Sequence, residues 1–191
     1  MNYIFNNQEQ KNKLLDRFLR YAKVWSESDG VAADNGKMPS TEQQWDFAKS
    51  LVKELRNFGT RDVYLTDDCY VFGKIESNIY DKDERNAFPR TLLMAHMDTV
   101  DEVSGKNVNP VILTGAAATE FTSDNDVIIK SDGSTLLGGD DKAGMAAIMT
   151  SLEYLLEHKD VEHRPFEIIF SQTKDSPARV VTVAITTINK L

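Results

Sequence analysis

The chain has 191 residues, of which 41% are hydrophobic and 27% are charged, so we expect one domain or a small pair built around a core, not a disordered chain. Its 30 acidic and 22 basic residues give a formal net charge of -8. This charge argues against a protein that tracks nucleic-acid phosphates or is drawn to an anionic membrane. A small or neutral substrate suits it better.

The single cysteine, Cys69, limits both disulfide and metal chemistry. One cysteine excludes an internal disulfide and a cysteine-rich zinc site, so any metal would be held by histidine and carboxylate side chains. We expect Cys69 to be a small, semi-buried residue rather than a reactive thiol. No signal-peptide pattern is visible, nor any apolar run long enough to span a membrane, so we expect a cytoplasmic protein.

Two helices are predicted in the N-terminal third. An apolar stripe at helical spacing predicts the first over residues 8–24, and a polar, glycine-containing stretch predicts a loop over 26–39. Ser40 and Gln43 have the spacing of a capping box, which predicts the start of the second helix. We expect that helix to end at Gly59, because glycine takes the left-handed conformation after a helix most readily.

The pattern then changes to short apolar runs typical of strands. Residues 63–65 and 70–75 flank a turn and predict an antiparallel pair. Residues 91–95 are apolar without alternation, which predicts a strand covered on both faces by helices. Residues 127–129 and 135–137 flank an Asp-Gly turn, and we expect them to form a second hairpin.

A third helix and a last strand complete the predicted fold. Apolar residues recur at helical spacing from Lys142 to Leu156, and Pro165 introduces an apolar run over 166–170. Helices thus alternate with apolar strands along the chain. This alternation predicts an α/β fold, a three-layer sandwich with a mostly parallel sheet and at least one antiparallel hairpin.

Two polar clusters follow predicted strands, which is where ligands gather in open α/β sheets. His96 and Asp98 are two residues apart, so in an extended backbone both project to one side and the carboxylate can accept the second imidazole N–H. Asp140 follows two glycines and has a carboxylate able to bridge two cations about 3.5–4 Å apart. From spacing alone, a local hydrogen bond and a helix cap remain open as alternatives.

The same two clusters lie within segments that resemble a known enzyme family. Residues 92–100 and 136–144 closely resemble the two signature regions of the di-zinc aminopeptidase and carboxypeptidase superfamily. More narrowly, residues 104–110, which read Ser-Gly-Lys-Asn-Val-Asn-Pro, resemble peptidase T, the tripeptide aminopeptidase family. The resemblance runs from about Leu14 to Phe170, and it is to the N-terminal part of that family only.

The resemblance implies a zinc-dependent catalytic site. By it, His96 ligates one Zn²⁺, Asp140 bridges two, and Asp98 has the catalytic role of orienting His96 and tuning the metal. It also implies a cis peptide bond between Asp140 and Asp141. In such a site the zinc pair holds a water, a glutamate takes its proton, and the hydroxide attacks the scissile carbonyl, releasing the N-terminal residue of a tripeptide.

The sequence departs from the family after the last predicted strand. There the family has Pro-Asp-Glu-Glu, which supplies the general base and a zinc ligand, whereas this chain reads Ser-Gln-Thr-Lys-Asp over 171–175. Lys174 stands at the position of the base, and an ammonium group has no lone pair with which to accept a proton. We therefore expect residues 1–171 to form a partial catalytic domain and residues 172–191 to be a divergent tail, explained by an out-of-frame ending.

Two functions follow from these observations. The first is a truncated peptidase T-like aminopeptidase, inactive or weakly active, that takes small peptides and holds zinc with an incomplete ligand set. The second is a non-catalytic peptide- or metal-binding module, or a regulatory partner, on the same fold. Neither involves nucleic acid or membrane, and a homo-oligomer is left open. His158 and His163 are expected to be solvent-facing or helix-terminal rather than ligands.

Overall fold

The computed structural model describes residues 7–80, 89–118 and 127–173. The helices are α1 (Gln8–Ala22), α2 (Gly30–Asp34), α3 (Gln43–Asn57) and α4 (Gly139–Glu157), with a short 3-10 helix at Gly115–Ala117. The strands are β1 (Asp62–Leu65), β2 (Val71–Ile75), β3 (Thr91–His96), β4 (Pro110–Leu113), β5 (Ile128–Ser131) and β6 (Phe166–Ser171). No helix within the described ranges is long and apolar enough to cross a membrane.

The main sheet has four strands in the order β1-β2-β6-β3. Strand β2 pairs antiparallel with both β1 and β6, and β3 pairs parallel with β6. The α/β class is confirmed. The described sheet is mixed rather than mostly parallel, because the predicted β1–β2 hairpin adds to it through β2, whose direction opposes that of β6.

Helices α3 and α4 pack against one face of this sheet, and α1 packs against α4. Period-2 alternation places Leu93 and Ala95 of β3 on that face, in register with Ile168 and Phe170 of β6. These strand residues join side chains of all three helices in one core. Its large members from the helices include Phe18, Tyr21, Phe47, Leu51, Leu55, Met145 and Met149.

The opposite face of the sheet has no helix against it in the described part of the chain, so two layers are seen there and not the expected three. An apolar row crosses all four strands on this face, through Tyr64, Phe72, Ile169 and Met94. Tyr64 and Phe72 stack with ring centroids 5.1 Å apart. Tyr64 is 55% exposed and Met94 is 46% exposed at the two ends of this row, whereas Ile169 is buried, so this face of the sheet, including β3, is only partly covered among the described residues.

Two local predictions before α3 are wrong. The predicted loop at 26–39 contains α2, whose N-cap Asp29 accepts a hydrogen bond from the Ala32 N–H. Ser40 forms no capping box. Its hydroxyl accepts a hydrogen bond from the Asp29 N–H at 3.0 Å, and α3 begins after Glu42 without a side-chain cap. Ser40 therefore binds the backbone of the preceding segment, although its spacing to Gln43 is that of a local helix cap.

The second hairpin also differs from its prediction. Strand β5 pairs antiparallel with β4, which precedes it, and the run 135–137 forms no strand. The predicted turn is present, since Asp132 accepts a hydrogen bond from the Ser134 N–H at 2.9 Å. Beyond it, the Leu136 N–H donates to the carbonyl of Ser104 at 3.1 Å, which directs the chain toward the site rather than back along β5.

Candidate metal centre

The site lies at the carboxyl ends of β3 and β6, beside the start of α4. His96 is the last residue of β3 and is in register with Ser171, the last residue of β6. The Met97 N–H donates to the Ser171 carbonyl at 2.8 Å, which extends the pairing one step further. Parallel strands that end together place the residues that follow them at one edge of the sheet.

The imidazole of His96 lies between two carboxylates. Its Nδ1 is 2.9 Å from Asp98 Oδ1 and its Nε2 is 3.0 Å from Asp140 Oδ1. The Asp98 side chain is 5% exposed, whereas that of Asp140 is 88% exposed. The structure thus brings together all three residues that the sequence singles out, with Asp98 behind the ring and Asp140 in front of it.

The two carboxylates hold the imidazole in its charged form. Burial lowers the pKa of His96, but hydrogen bonds to Asp98 and Asp140, and the charges of these groups, raise it from 6.5 to about 9. At neutral pH both ring nitrogens therefore carry protons and donate to the carboxylates. A metal ion bound at Nε2 would take the place of one of these protons.

Glycine permits the turn that presents Asp140. Gly138 has a φ of 72°, in the left-handed region, and a Cβ there would lie 3.1 Å from Thr99 Cγ2. Both the conformation and the close approach favour glycine at this position. The peptide bond between Asp140 and Asp141 is cis, as the family resemblance implies.

Part of the segment that the sequence assigns to a loop supports the residues after β3. Residues 26–28 run parallel to the chain around Thr99, with hydrogen bonds from the Thr99 N–H to the Ser26 carbonyl (3.1 Å) and from the Ser28 N–H to the Thr99 carbonyl (2.9 Å). The buried Ser26 hydroxyl donates to the Met97 carbonyl at 2.7 Å. These bonds fix the backbone on both sides of Asp98.

Lys142 ties the chain just before this segment to α4, and sequence reasoning missed it. The side chain is buried, and its Nζ donates to the Val24 carbonyl at 2.6 Å. Burial lowers the pKa of Lys142 to about 8, against the opposing charge of Asp98. A lysine inside an apolar helix pattern gives no local signal of this contact, because its partner is more than a hundred residues away.

A cleft of about 230 Å³ opens at the site, lined by residues that include His96, Thr99, Val100, Leu136 and Asp140. Small-molecule sites usually enclose roughly 300–1,000 Å³. The cleft in the described part of the chain is therefore smaller than a usual small-molecule site.

The donor types suit zinc, but the described residues bring too few of them together. Imidazole and carboxylate groups are ordinary zinc ligands, and catalytic zinc usually has about three of them from the protein. His96 and Asp140 supply two. No group of three or more His, Cys, Asp and Glu side chains is arranged to hold a metal within residues 7–80, 89–118 and 127–173.

The chain after β6 contributes no such donor before the described residues end at Thr173. The Ser171 hydroxyl donates to the Thr173 carbonyl at 3.1 Å, and the Gln172 side chain is 1% exposed with neither amide atom hydrogen-bonded. Lys174 and the rest of the tail lie outside the described residues.

The environments of the other two histidines and of the cysteine favour structural roles. His158 forms the C-cap of α4 and stacks on Tyr154, with ring centroids 4.0 Å apart. His163 is buried rather than solvent-facing, and its backbone N–H donates to Asn78. Cys69 is buried, and burial raises the pKa of its thiol to about 12, which agrees with an unreactive side chain.

Comparison with known proteins supports the resemblance seen in the sequence. Peptidase T of Geobacillus kaustophilus is 36% identical over 86% of this chain and 43% of its own length. This chain is homologous to part of peptidase T. It spans less than half the length of the curated relatives it matches, as expected for similarity to one part of the family. No family profile matches the chain.

Solved peptidases share the fold. A tripeptidase from Staphylococcus aureus and aminopeptidase PepT from Bacillus cereus each match with a TM-score of 0.59 and 23% identity. Each match covers 84% of this chain and 36% of the solved chain. The peptidase T homologue therefore has the α/β architecture of these enzymes over the shared part.

Proposed function

We propose that this chain carries one half of a peptidase T-like zinc site and binds zinc through His96 and Asp140, with little or no peptide turnover of its own. The observation that carries the proposal is the placement of the His96 imidazole between Asp98 and Asp140, within 3.0 Å of each. A carboxylate behind the ring is a usual partner of a zinc-binding histidine, and the exposed carboxylate in front supplies a second group that zinc can bind.

Each residue has a separate task in this proposal. Asp98 accepts the Nδ1–H of His96, which fixes the ring orientation and leaves Nε2 as the atom that gives up its proton to a metal. The exposed carboxylate of Asp140 has two oxygens with which to bridge two ions. Zinc, when bound, would polarise the scissile carbonyl and lower the pKa of a bound water.

The proposed lack of turnover follows from what the described residues do not supply. They provide two donors at the site, and the residues after β6 that are described offer no carboxylate as a general base. The sequence places Lys174 at that position. We further propose that residues 1–171 correspond to a partial catalytic domain and that residues 172–191 are a divergent tail.

The substrate class follows from the relatives. The similar Staphylococcus aureus protein is a tripeptidase, and we propose small peptides, tripeptides first, as the ligands of this cleft. The negative net charge agrees with a small ligand rather than with nucleic acid or anionic lipid.

The single buried cysteine agrees with a cytoplasmic location. A homo-oligomer stays a prediction.

A second function is favoured by the donor count. A chain that holds zinc or a peptide end with two donors is suited to binding without catalysis, as a peptide- or metal-binding module or as a regulatory partner of a longer enzyme. The two functions differ in turnover, since the first allows weak hydrolysis that depends on His96, whereas the second allows none.

A zinc titration and an assay of tripeptide hydrolysis with added zinc test the proposal. We expect saturable zinc binding that the His96→Ala variant loses and the His158→Ala control keeps, because His158 lies at the end of α4 with its Nδ1 on a backbone carbonyl. The rate of tripeptide hydrolysis by the wild-type chain should be close to that of the His96→Ala variant. Robust turnover that disappears in His96→Ala would overturn the claim that the catalytic set is incomplete.

A further inference from the structure

Residues 104–106 begin the stretch that resembles peptidase T in sequence, and they are not among the proposed zinc donors. They form a loop beside the cleft. The Leu136 N–H donates to the Ser104 carbonyl at 3.1 Å. A Cβ at Gly105 would lie 3.8 Å from Leu136 Cδ1 and 3.0 Å from Thr99 Oγ1, and both of these residues line the cleft. The 104–106 loop therefore packs behind two residues that shape the cleft.

The carboxylate of Glu27 holds this loop. The backbone N–H of Gly105 donates to Glu27 Oε2 at 2.8 Å, and the Ser104 hydroxyl lies 3.4 Å from the same oxygen. The indole N–H of Trp25 also donates to this oxygen, at 2.9 Å. Because Gly105 is buried, removal of the carboxylate would leave its N–H without this partner at a cost in free energy.

Trp25 and Glu27 both face the loop because the segment that contains them is extended where it pairs with the chain after β3. Alternate residues of an extended chain project to the same side. Between them, the Ser26 hydroxyl donates to the Met97 carbonyl at 2.7 Å. One short segment thus supports the residues after β3 on one side and the 104–106 loop on the other.

Contacts on both sides of Glu27 hold it in place. Its carbonyl accepts hydrogen bonds from the Thr41 hydroxyl at 2.7 Å and from the Gln43 side-chain amide at 3.3 Å, at the start of α3. The Lys106 ammonium group lies 4.7 Å from the centroid of the Trp25 ring, which is a further contact between the segment and the loop. The Glu27 carboxylate therefore joins a fixed part of the fold to this loop.

We propose that Glu27 is a positioning residue, which anchors the 104–106 loop so that Thr99 and Leu136 hold the cleft in the shape that binds a small peptide. It acts on the peptide through the backbone of Gly105 and the side chain of Leu136, and it is not one of the proposed zinc donors. The predicted effect on peptide binding rests on the function proposed above, whereas the anchoring of the Gly105 backbone does not depend on it.

The first test needs no ligand and uses the full chain with the variants Glu27→Ala, Glu27→Gln and Glu102→Ala. Amide hydrogen exchange at Gly105, measured by NMR, should become about tenfold faster in Glu27→Ala. Glu27→Gln should keep part of the protection, since an amide oxygen still accepts a hydrogen bond. The indole N–H signal of Trp25 should shift in Glu27→Ala, whereas that of Trp45 should not. Glu102→Ala removes an exposed carboxylate just before the loop and should leave the exchange at Gly105 unchanged.

Binding measurements separate anchoring of the loop from a general loss of structure. With zinc present, the affinity for trialanine, measured by calorimetry, should fall about tenfold in Glu27→Ala, since a loop that is no longer anchored must be ordered when the peptide binds. Zinc affinity should change by less than about twofold, because both proposed donors remain. Glu102→Ala should bind trialanine like the wild type.

Unchanged exchange at Gly105 in Glu27→Ala would overturn the anchoring role. Unchanged trialanine affinity, or equal losses of zinc and trialanine affinity, would overturn the role in positioning the peptide. Should Glu27→Ala fail to fold, the same measurements on Glu27→Gln decide, with smaller effects in the same direction expected. If the wild-type chain binds no trialanine, the proposed peptide ligand is wrong, while the exchange at Gly105 still judges whether Glu27 anchors the loop.

Discussion

Strands β3 and β6 lie side by side, run in the same direction and end in register, yet the residues that follow them are organised differently. After β3, the imidazole of His96 has a carboxylate on each nitrogen. After β6, the Ser171 hydroxyl donates to a backbone carbonyl, and the buried Gln172 amide has no hydrogen-bond partner among the described residues. The comparison shows that the donors assembled in the described residues come from β3 and α4, not from β6.

The difference has a physical basis in what supports each strand end. The chain after β3 is held by residues 26–28, and the buried Lys142 binds the neighbouring Val24 carbonyl. These contacts come from two parts of the sequence that are distant from β3, and they fix the backbone on both sides of Asp98. They are in place without a metal, which would reduce the ordering that metal binding requires.

The largest effect is expected from removing the imidazole. His96→Ala deletes one of the two proposed zinc donors, and we expect measurable zinc binding to be lost, since the remaining carboxylate of Asp140 is exposed to water. Calorimetric titration at pH 7.5 measures this loss. His158→Ala should titrate like the wild type, and equal losses in both variants would show that the histidines of this chain bind zinc non-specifically.

A smaller effect is expected from Asp98→Asn. The amide keeps the shape of the side chain but removes the negative charge behind the His96 ring, so zinc affinity should fall roughly 10- to 100-fold. Asp132→Asn is the matched control, because Asp132 lies in the exposed turn after β5. An unchanged affinity in Asp98→Asn would mean that Asp98 does not orient the ring.

The pH dependence of stability tests the charge of His96. Its pKa is raised in the folded chain from 6.5 to about 9, so the folded state binds more protons than the unfolded state between these values. The stabilisation is complete below pH 6.5 and is lost as the pH rises through 9. Without metal, the free energy of unfolding of the wild type, measured in urea, should fall by about 2 kcal/mol more than that of His96→Gln across this pH range. If the free energies of unfolding of the two chains changed equally with pH, a charged His96 would be contradicted.

The smallest effect is expected at the end of β6. Gln172→Met replaces a buried amide that has no hydrogen bond with an apolar side chain of similar shape, and it should leave stability unchanged or raise it by about 1 kcal/mol. Zinc affinity should not change. A clear loss of zinc affinity in this variant would place a β6 residue in the site and remove the contrast between the two strand ends.

The sequence predicts much of the fold because its signals are local. Helical periodicity places α1 and α4 within a few residues of their observed ends, and the β1–β2 hairpin follows from the turn between its strands. The pairing of β5 with β4 is not predicted, since the Asp-Gly turn after β5 suggests a later partner. The directions of pairing in the main sheet also depend on contacts that no short window contains.

The candidate site is predicted in part. His96, Asp98 and Asp140 are found from their positions after strands and from the family resemblance, whereas the contact of the Lys142 ammonium group with the Val24 carbonyl carries no local signal. That contact joins residues far apart in the sequence, so it is a property of the folded chain.

The location of zinc in a crystal of the full chain tests the central claim most directly. With zinc added, anomalous scattering should place the ion at about 2.0–2.2 Å from His96 Nε2 and from an Asp140 oxygen, with Asp98 still bonded to Nδ1. Zinc at another group of residues, or an empty site at millimolar zinc with His96 still bonded to Asp140, would contradict a half site built on β3 and α4.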